Sequence, residues 1–565
     1  MNLMEKRWII AEQDEVQVHE LAAELAIAPL TVRLLLNRGF TDAISMKAFL
    51  NPEAESYIDP YRFKDMEKAV RLVREAIVRG EKILIYGDYD ADGVTSTALL
   101  LKVLTELGGN CSFYIPNRFT EGYGINNEAI EKAAADNIKL IISVDTGIAA
   151  VEAAELTNRY GIKLIITDHH EPPELLPRAE AIINPKRLDD DYPFSGLAGV
   201  GVAFKLAHAL LGRIPSEYLE LVAIGTIADL SPLIEENRLI AIAGLKQLST
   251  TKNIGLRTLL EKTNLTKQKL TSYHVGYIIG PRINAVGRLE SSDSAVRLLL
   301  TEDQAEADRI VDELENINYE RQQLVKIITE EALAKIEDEK LADYSVLVVG
   351  APSWNVGVIG IVASHVIRKY YKPTIIFNID ETSGIAKGSA RSILGFNLFQ
   401  ALTEVSEHLL AFGGHPAAAG MSVEIPKINL LRNELSKVAD DWLTEEDFIP
   451  CERVDAILDI DSIDYELLKE IERLEPHGIG NPKPLFLIEN GTVVSSQKIG
   501  KDQNHLRLSL KNIGHQLTAL YFNQGELGDE LSKGVKLSLL GELSLNEWRG
   551  FLKPQITVSD LRIKR

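Results

Sequence analysis

Apolar residues along this chain alternate between two rhythms. Short continuous runs such as Ile83-Leu84-Ile85-Tyr86, Lys139–Val144 and Lys163–Thr167 read as strands buried on both faces. Ser112–Pro116 and Ala181–Ile183 are predicted as further strands. Between them the apolar positions recur at helical spacing, as over Met66–Val78 and Thr95–Leu101. Alternation of this kind over residues 69–300 predicts a doubly wound parallel sheet. Ahead of it, Leu21–Ala26 and Pro29–Leu35 predict small helices in an N-terminal accessory region, residues 1–68.

The rhythm changes twice more. Residues 301–343 are highly charged, with Ala307, Ile310, Val311, Leu314, Ile317, Leu324, Ile327 and Ile328 at helical spacing, which predicts a connecting helix with a solvated face. Residues 344–445 start a second, smaller α/β unit: strand Ser345–Gly350, helix Ile361–Lys369 and strand Thr374–Phe377. From 446 to 565 the period falls to two. Leu485–Ile488, Leu506–Leu510, Leu517–Tyr521, Val535–Leu539 and Pro554–Val558, separated by Gly, Asn and Asp, predict a β-barrel of OB type.

The length of 565 residues agrees with several domains rather than one core. No apolar run is long enough to span a bilayer, and acids come too early in the N-terminal sequence for a secretory signal. A cytoplasmic protein with no membrane partner is expected. Cys111 and Cys451 are too few for a disulfide framework or a zinc–cysteine site. The net charge of −21 argues against broad non-specific binding to nucleic acid but leaves room for a local basic channel.

Candidate chemistry gathers at strand ends. The run Ile83–Tyr86 leads into Gly87 and three alternating acids, Asp88, Asp90 and Asp92, before a helix. Acids at the carboxyl end of a strand in an open α/β sheet lie where such sheets bind ligands. Three neighbouring carboxylates repel unless a cation neutralises them, so a divalent metal site is expected. An EF-hand loop is rejected because its twelfth position would be Leu99, not a bidentate Glu. A haloacid dehalogenase-type nucleophile and a merely solvated turn are the competing readings. The solvated turn is disfavoured because apolar elements frame the acids, and two further strand ends decide against the nucleophile: Asp145-Thr146-Gly147, and Thr167-Asp168-His169-His170. Asp229, ending the apolar run from Ala223, can complete the cluster. Several carboxylates with histidine suit two manganese or magnesium ions better than zinc, and two such ions suit phosphoester hydrolysis.

GDYDADG, VDTG, TDHH and IADL resemble the four motifs of the DHH phosphoesterase superfamily. Gly280–Leu289 resembles a segment of its RecJ-type single-strand-specific exonucleases, with Val286 where alanine is usual. Phe412–Gly420 is similar to the glycine-rich signature of the DHHA1 domain. The resemblance runs from about residue 80 to the C-terminus. It implies a metal-dependent 5′-to-3′ exonuclease that degrades single-stranded DNA to mononucleotides in repair and recombination. Single-stranded DNA is the expected partner, and the sequence leaves open whether a single-strand-binding protein or a helicase joins it.

By the same resemblance, Asp88, Asp90, Asp92, Asp145, His169 and Asp229 hold Mn²⁺ or Mg²⁺. Asp90, Asp145, Asp168, His169 and His170 carry the chemistry, with His170 reaching the scissile phosphate. Arg118, Ser389 and Arg391 are implied to hold a terminal phosphate. Arg282, Arg288, Gly413, Gly414 and His415 are implied to meet the strand, Arg282 and His415 from a channel between the two domains. Read on its residues alone, Gly388–Ser392 could also cradle phosphate through backbone amides. In the barrel, Lys498, Lys501, His505, Arg507, Trp548 and Arg549 are expected to contact bases and phosphates. The alternatives are a superfamily enzyme acting on short oligoribonucleotides or cyclic dinucleotides, and a degenerate replication scaffold. The first is usually built from the two core domains alone, and the second would tolerate loss of the acids, none of which is lost.

Overall fold

The computed structural model describes residues 6–52, 57–118, 121–122, 124–512, 514–548 and 551–564. The chain divides into two compact units. One comprises Glu315–Glu452 with the residues up to Trp8; the other comprises Ile9–Leu314 and Arg453–Arg565.

In the larger unit, five strands form an all-parallel sheet in the order Asn110–Tyr114, Lys82–Tyr86, Ile138–Val144, Lys163–Thr167, Ala181–Ile183. Chain order reverses between Lys82–Tyr86 and Ile138–Val144, and crevices at such switch points bind ligands. Ile83, Ile85, Leu140, Ile142, Leu164 and Ile165 are fully buried because helices cover both faces. The strand predicted at Ser112–Pro116 runs two residues earlier. Its register against Lys82–Tyr86 ends at Tyr114, and Pro116 has no N–H to extend the ladder.

Residues 453–565 close a barrel. Phe486–Ile499 pairs on one side with His505–Lys511 and on the other with Lys536–Trp548; Gln516–Tyr521 and Phe551–Ile563 complete the ring. Its strands outrun the predicted ones because bulges at Ile488/Gly491 and Val493/Ser495 interrupt the alternation without ending the pairing.

The N-terminal helices Glu15–Leu25, Pro29–Leu36 and Ala43–Leu50 share one core with this barrel. Val18, Val32, Leu34, Leu35, Met46 and Phe49 cluster with Leu468, Leu474, Phe486, Leu508 and Leu539. Buried arginines tie the parts together. Arg38 donates to Asn481 Oδ1 at 2.8 Å and to the Pro482 carbonyl at 2.6 Å. Arg238, on the helix Glu235–Leu248, donates to the carbonyls of Phe49, Leu474 and Arg473 at 3.2, 3.0 and 2.9 Å. Its guanidinium lies 3.9 Å over the Phe49 ring.

In the smaller unit, Leu347–Pro352 and Thr374–Asp380 run parallel, and Ile385–Arg391, Ala418–Glu424 and Ala411–His415 extend the sheet antiparallel. Helices Ile359–Tyr370 and Ile428–Trp442 bury their apolar sides on it.

Replacing Arg238 by methionine keeps much of the volume but strands three buried carbonyls. The variant Arg238→Met is expected to lose roughly 3 kcal/mol in urea unfolding. It should also become protease-sensitive within residues 15–50. A loss below about 1 kcal/mol would show that Arg238 does not join these parts.

Candidate metal centre

The turn after Lys82–Tyr86 is shaped by its own acids. Asp90 caps the helix Ala91–Glu106, its Oδ1 accepting from Asp92 N at 2.9 Å and Gly93 N at 3.1 Å. Asp92 is buried and turned the other way. Its two oxygens accept from Gly199 N and Val200 N, each at 2.7 Å, at the start of the helix Gly199–Leu211. That helix approaches closely only because residue 199 is glycine: a Cβ there would lie 2.5 Å from Asp145 Oδ1. Asp145 follows the adjacent strand in a left-handed conformation, φ 59°, with its N–H on the Thr167 carbonyl. Such strain in a non-glycine residue is held by its surroundings and is common at functional sites.

Asp168 is an anchor. Its Oδ2 accepts from Ile148 N at 2.8 Å, and its Oδ1 accepts from His169 N at 2.7 Å and His170 N at 3.1 Å. The same oxygen pairs with His170 Nδ1 at 2.7 Å. Hydrogen bonding to His170 and its charge hold Asp168 ionised against its burial, and Asp168 raises His170 to about 9 despite burial. With Asp168 a carboxylate, Nδ1–H donates, and the raised value favours the protonated form of His170 in the metal-free protein.

His169 turns into the acids. Its Nε2 lies 3.1 Å from Asp145 Oδ1 and 3.8 Å from Asp92 Oδ2, and its Nδ1 lies 3.9 Å from Asp229 Oδ2. Burial and the neighbouring His170 push it down to about 3, which favours a neutral imidazole with a lone pair free to coordinate. Asp88, Asp92 and Asp145 are pushed well above the usual carboxylate range, first by burial and then by neighbouring acids: Asp90 for Asp88, Asp229 and Asp90 for Asp92, and Asp92, Asp90 and Asp88 for Asp145; Asp229 is raised to about 6.

Three overlapping trios each bring donor atoms within 4.8 Å: Asp88, Asp90 and Asp145; Asp92, His169 and Asp229; Asp145, His169 and His170. Asp88 Oδ1, Asp145 Oδ1 and His169 Nε2 are buried without hydrogen-bond partners. Buried polar atoms left without partners, aimed at one another and mostly oxygen, fit hard divalent cations. All the expected metal-binding residues therefore converge, with Asp92 committed to backbone amides as well.

Several neighbours carry this turn without having been singled out from sequence. Asn284 Oδ1 accepts from Ala91 N at 2.7 Å, and Ser292 Oγ donates to the Tyr89 carbonyl at 2.6 Å. A Cβ on Gly287 would stand 2.4 Å from that carbonyl, so the helix Gly280–Leu289 packs directly on the acidic turn. Arg118 lies 5.1 Å over the Tyr89 ring, and the charge of Arg288 also acts on Tyr89. Arg282 donates to the Ile278 carbonyl at 2.7 Å. Lys186 acts electrostatically on His169 and Asp229. Tyr89 and Asn284 lie inside the quoted motifs, so their position in those motifs was the available signal.

In the smaller unit, Ser389 and Arg391 are alternate residues of one strand and share a face. A Cβ on Gly360 would lie 2.8 Å from Ser389 Oγ and 3.1 Å from Arg391 Nη2, so the first turn of the helix Ile359–Tyr370 meets that face. Helix start, hydroxyl and guanidinium together suit an anion. The expected cradle of backbone amides at Gly388–Ser392 is not formed. Gly388 to Arg391 pair with strands on both sides, so their amides already serve the ladder. Gly413, Gly414 and His415 are exposed on the edge strand Ala411–His415. Gly414 has φ 148°, and a Cβ on it would meet the Ala418 carbonyl at 2.4 Å.

In the barrel, Arg507 and Lys501 are exposed, Lys498 pairs with Asp529 at 3.1 Å, and the His505 ring lies edge-on to Phe522, 5.2 Å away. Arg549 and the side chain of Trp548 lie outside the described residues.

Three family profiles match the chain: the DHH family N-terminal domain over residues 82–226, the DHHA1 domain over 343–445, and the RecJ OB domain over 454–560. The single-stranded-DNA-specific exonuclease RecJ of Bacillus subtilis is 46% identical over 557 residues, 99% of this chain and 71% of that protein. The Escherichia coli protein of the same name is 34% identical, over 96% of this chain and 97% of its own length. The crystal structure of Thermus thermophilus RecJ in complex with Mn²⁺ superposes with a TM-score of 0.85 at 30% identity, covering 99% of this chain and 80% of that one.

Raised carboxylate pKa values hold protons in the folded, metal-free state. Folded values above the unfolded ones give stability that is present at low pH and lost as pH rises through the folded pKa. In chelator, thermal stability should therefore fall as pH rises through about 6, the value of Asp229, towards neutrality. Added Mn²⁺ should restore it, with a larger gain at the higher pH. A Mn²⁺-induced shift independent of pH would contradict this assignment.

Proposed function

The chain belongs to the RecJ family of single-stranded-DNA-specific exonucleases, and on that premise we propose that it hydrolyses single-stranded DNA from the 5′ end to mononucleotides. The observation that carries this reading is the buried acid–histidine cluster with its unpartnered donor atoms. The closed barrel in the same unit supports a single-strand substrate. Residues 69–300 are read as the phosphoesterase domain, 301–343 as connecting helix, 344–445 as the DHHA1 domain and 446–565 as the OB-type domain. No helix among the described residues is long and apolar enough to cross a membrane. The proposed place of action is the cytoplasm, in DNA repair and recombination, alongside a single-strand-binding protein or a helicase.

Asp88, Asp90 and Asp145 would hold one Mn²⁺ or Mg²⁺, and Asp92, His169 and Asp229 a second, with Asp145 close to both. The ions would supply an activated water and neutralise charge on the phosphoryl oxygens. Asp90 contributes while fixing the helix start, and Asp92 locks the rim to the helix at Gly199. His170, kept cationic by Asp168, offers its charge and its outer N–H to the scissile phosphate or the departing oxygen. Arg118 and Arg288, flanking Tyr89, would contact the strand near the reacting turn, with Arg282 further along the same helix. Ser389 and Arg391 would bind a terminal phosphate, and His415 with the exposed Gly413–Gly414 backbone would contact the strand.

The direct experiment is digestion of 5′- and 3′-labelled single and double strands in Mn²⁺, Mg²⁺ and chelator. Mononucleotides released from the 5′ end of single strands only, and only with metal, are expected. Activity after exhaustive chelation would overturn the metal reading. Asp90→Ala and His169→Ala should each lower kcat by at least about a thousandfold while retaining DNA binding.

Arg391→Ala should lower the rate ratio between 5′-phosphorylated and 5′-hydroxyl strands by roughly tenfold, as expected for losing one charge-assisted contact. An unchanged ratio removes Arg391 from phosphate recognition. Because the barrel shares its core with residues 15–50, point changes at Lys501 and Arg507, rather than deletion, probe its hold on DNA.

A further inference from the structure

The segment leading into Gly280–Leu289 carries an unusual surface. Ser272–His274 is a helical turn and Val275–Ile279 a π-turn, so the chain is helical from Ser272 to Leu289. Wide turns of this kind often mark functional sites. Tyr273 and Tyr277 project from one face of it, 60% and 70% exposed, with their rings stacked on each other at 4.9 Å. Two large aromatics left in water while already stacked provide a flat, preordered platform.

Tyr273 also borders a cleft of about 760 Å³ among the residues around Leu50, the helix Glu235–Leu248 and the segment Glu472–Lys483. Four exposed cations line it, Lys246, Lys269, Arg473 and Lys483, beside the buried Arg238 already committed to carbonyls, against two carboxylates, Glu472 and Glu475. Lys269 pairs with Glu475 at 2.6 Å and Lys483 with Glu542 at 2.8 Å, so the excess is partial. On a chain of net charge −21 it is nonetheless a positive region. His477, also on its wall, has a buried Nδ1 without a hydrogen-bond partner.

The platform is joined to the metal centre by its own helix. A Cβ on Gly280 would lie 3.2 Å from the Cβ of Ala228, which precedes Asp229, and Gly287 abuts the Tyr89 carbonyl. From Tyr273 to Gly287 the helix spans about 20 Å, several nucleotides of extended strand.

We propose that Tyr273 and Tyr277 are base-stacking residues for single-stranded DNA, and that the cationic cleft beside Tyr273 holds the phosphates of the same strand, several nucleotides from the metal ions. This rests on the proposed function and extends it. Bases need flat apolar faces and phosphates need cations, and here the two occur side by side. A free nucleotide would satisfy part of this chemistry, but a second stacking ring is of use to successive bases.

The test measures affinity of the full-length protein for labelled, phosphorothioate-linked oligothymidylates of about 20 and about 3 nucleotides. In Tyr273→Ala/Tyr277→Ala the ratio of long-strand to short-strand affinity is expected to fall about tenfold, and Tyr273→Trp/Tyr277→Trp to restore it. Lys246→Ala should reduce the log–log salt dependence for the long strand by about one. An unchanged ratio in the double alanine variant overturns the platform while leaving the proposed function standing. Loss of thymidine monophosphate binding without loss of long-strand affinity overturns it in favour of a free-nucleotide site. If the wild-type protein neither binds nor cuts single strands, it is the proposed function that fails.

Discussion

The burial of several carboxylates side by side is the constraint on which the rest of this site depends. Asp88, Asp92 and Asp145 are almost wholly withdrawn from water and face one another across the switch point of a parallel sheet. Without cations they stay ionised only at high cost, and they are pushed towards the protonated form. The fold holds them there regardless. Backbone amides from the helix at Gly199 grip Asp92, the helix at Ala91 grips Asp90, and the strained backbone of Asp145 is fixed by the Thr167 carbonyl. The result is a preorganised set of oxygen donors whose charge is neutralised by what binds, not by protein partners.

The two histidines at one strand end are given opposite protonation preferences by their surroundings. His169 points into the acids yet is driven towards its neutral form by burial, the form that can coordinate a cation. His170, one residue on, is paired with an anchored carboxylate and keeps its proton. Asp168 makes the division possible, because it spends its oxygens on three backbone amides and one imidazole.

Much of this was legible in the sequence. Buried parallel strands declare themselves as unbroken apolar runs, and acids at their ends fall on one rim by geometry alone, so Asp88, Asp90, Asp145 and His169 could be grouped before any coordinates. The barrel was visible through its alternation, although bulges at Gly491 and Ser495 hid the length of its strands. Gly388–Ser392 misled because a glycine beside Ser and Arg reads as a loop. In the fold it is a central strand, and what remains to meet an anion is the side-chain face of Ser389 and Arg391 rather than the backbone amides. Contacts distant in sequence left no local trace. Arg238 binding the Phe49 and Leu474 carbonyls, and the helices 15–50 sharing the barrel's core, depend on tertiary packing that no periodicity records.

The central claim, that the acid cluster is an incomplete site finished by divalent ions, is tested most directly by calorimetric titration of the chelator-treated protein with Mn²⁺ in two buffers of different ionisation enthalpy. The account predicts saturable binding of about two ions per chain with net release of protons near neutral pH, because raised carboxylates must ionise to coordinate. Saturable binding without proton release, or no saturable binding at all, would contradict it.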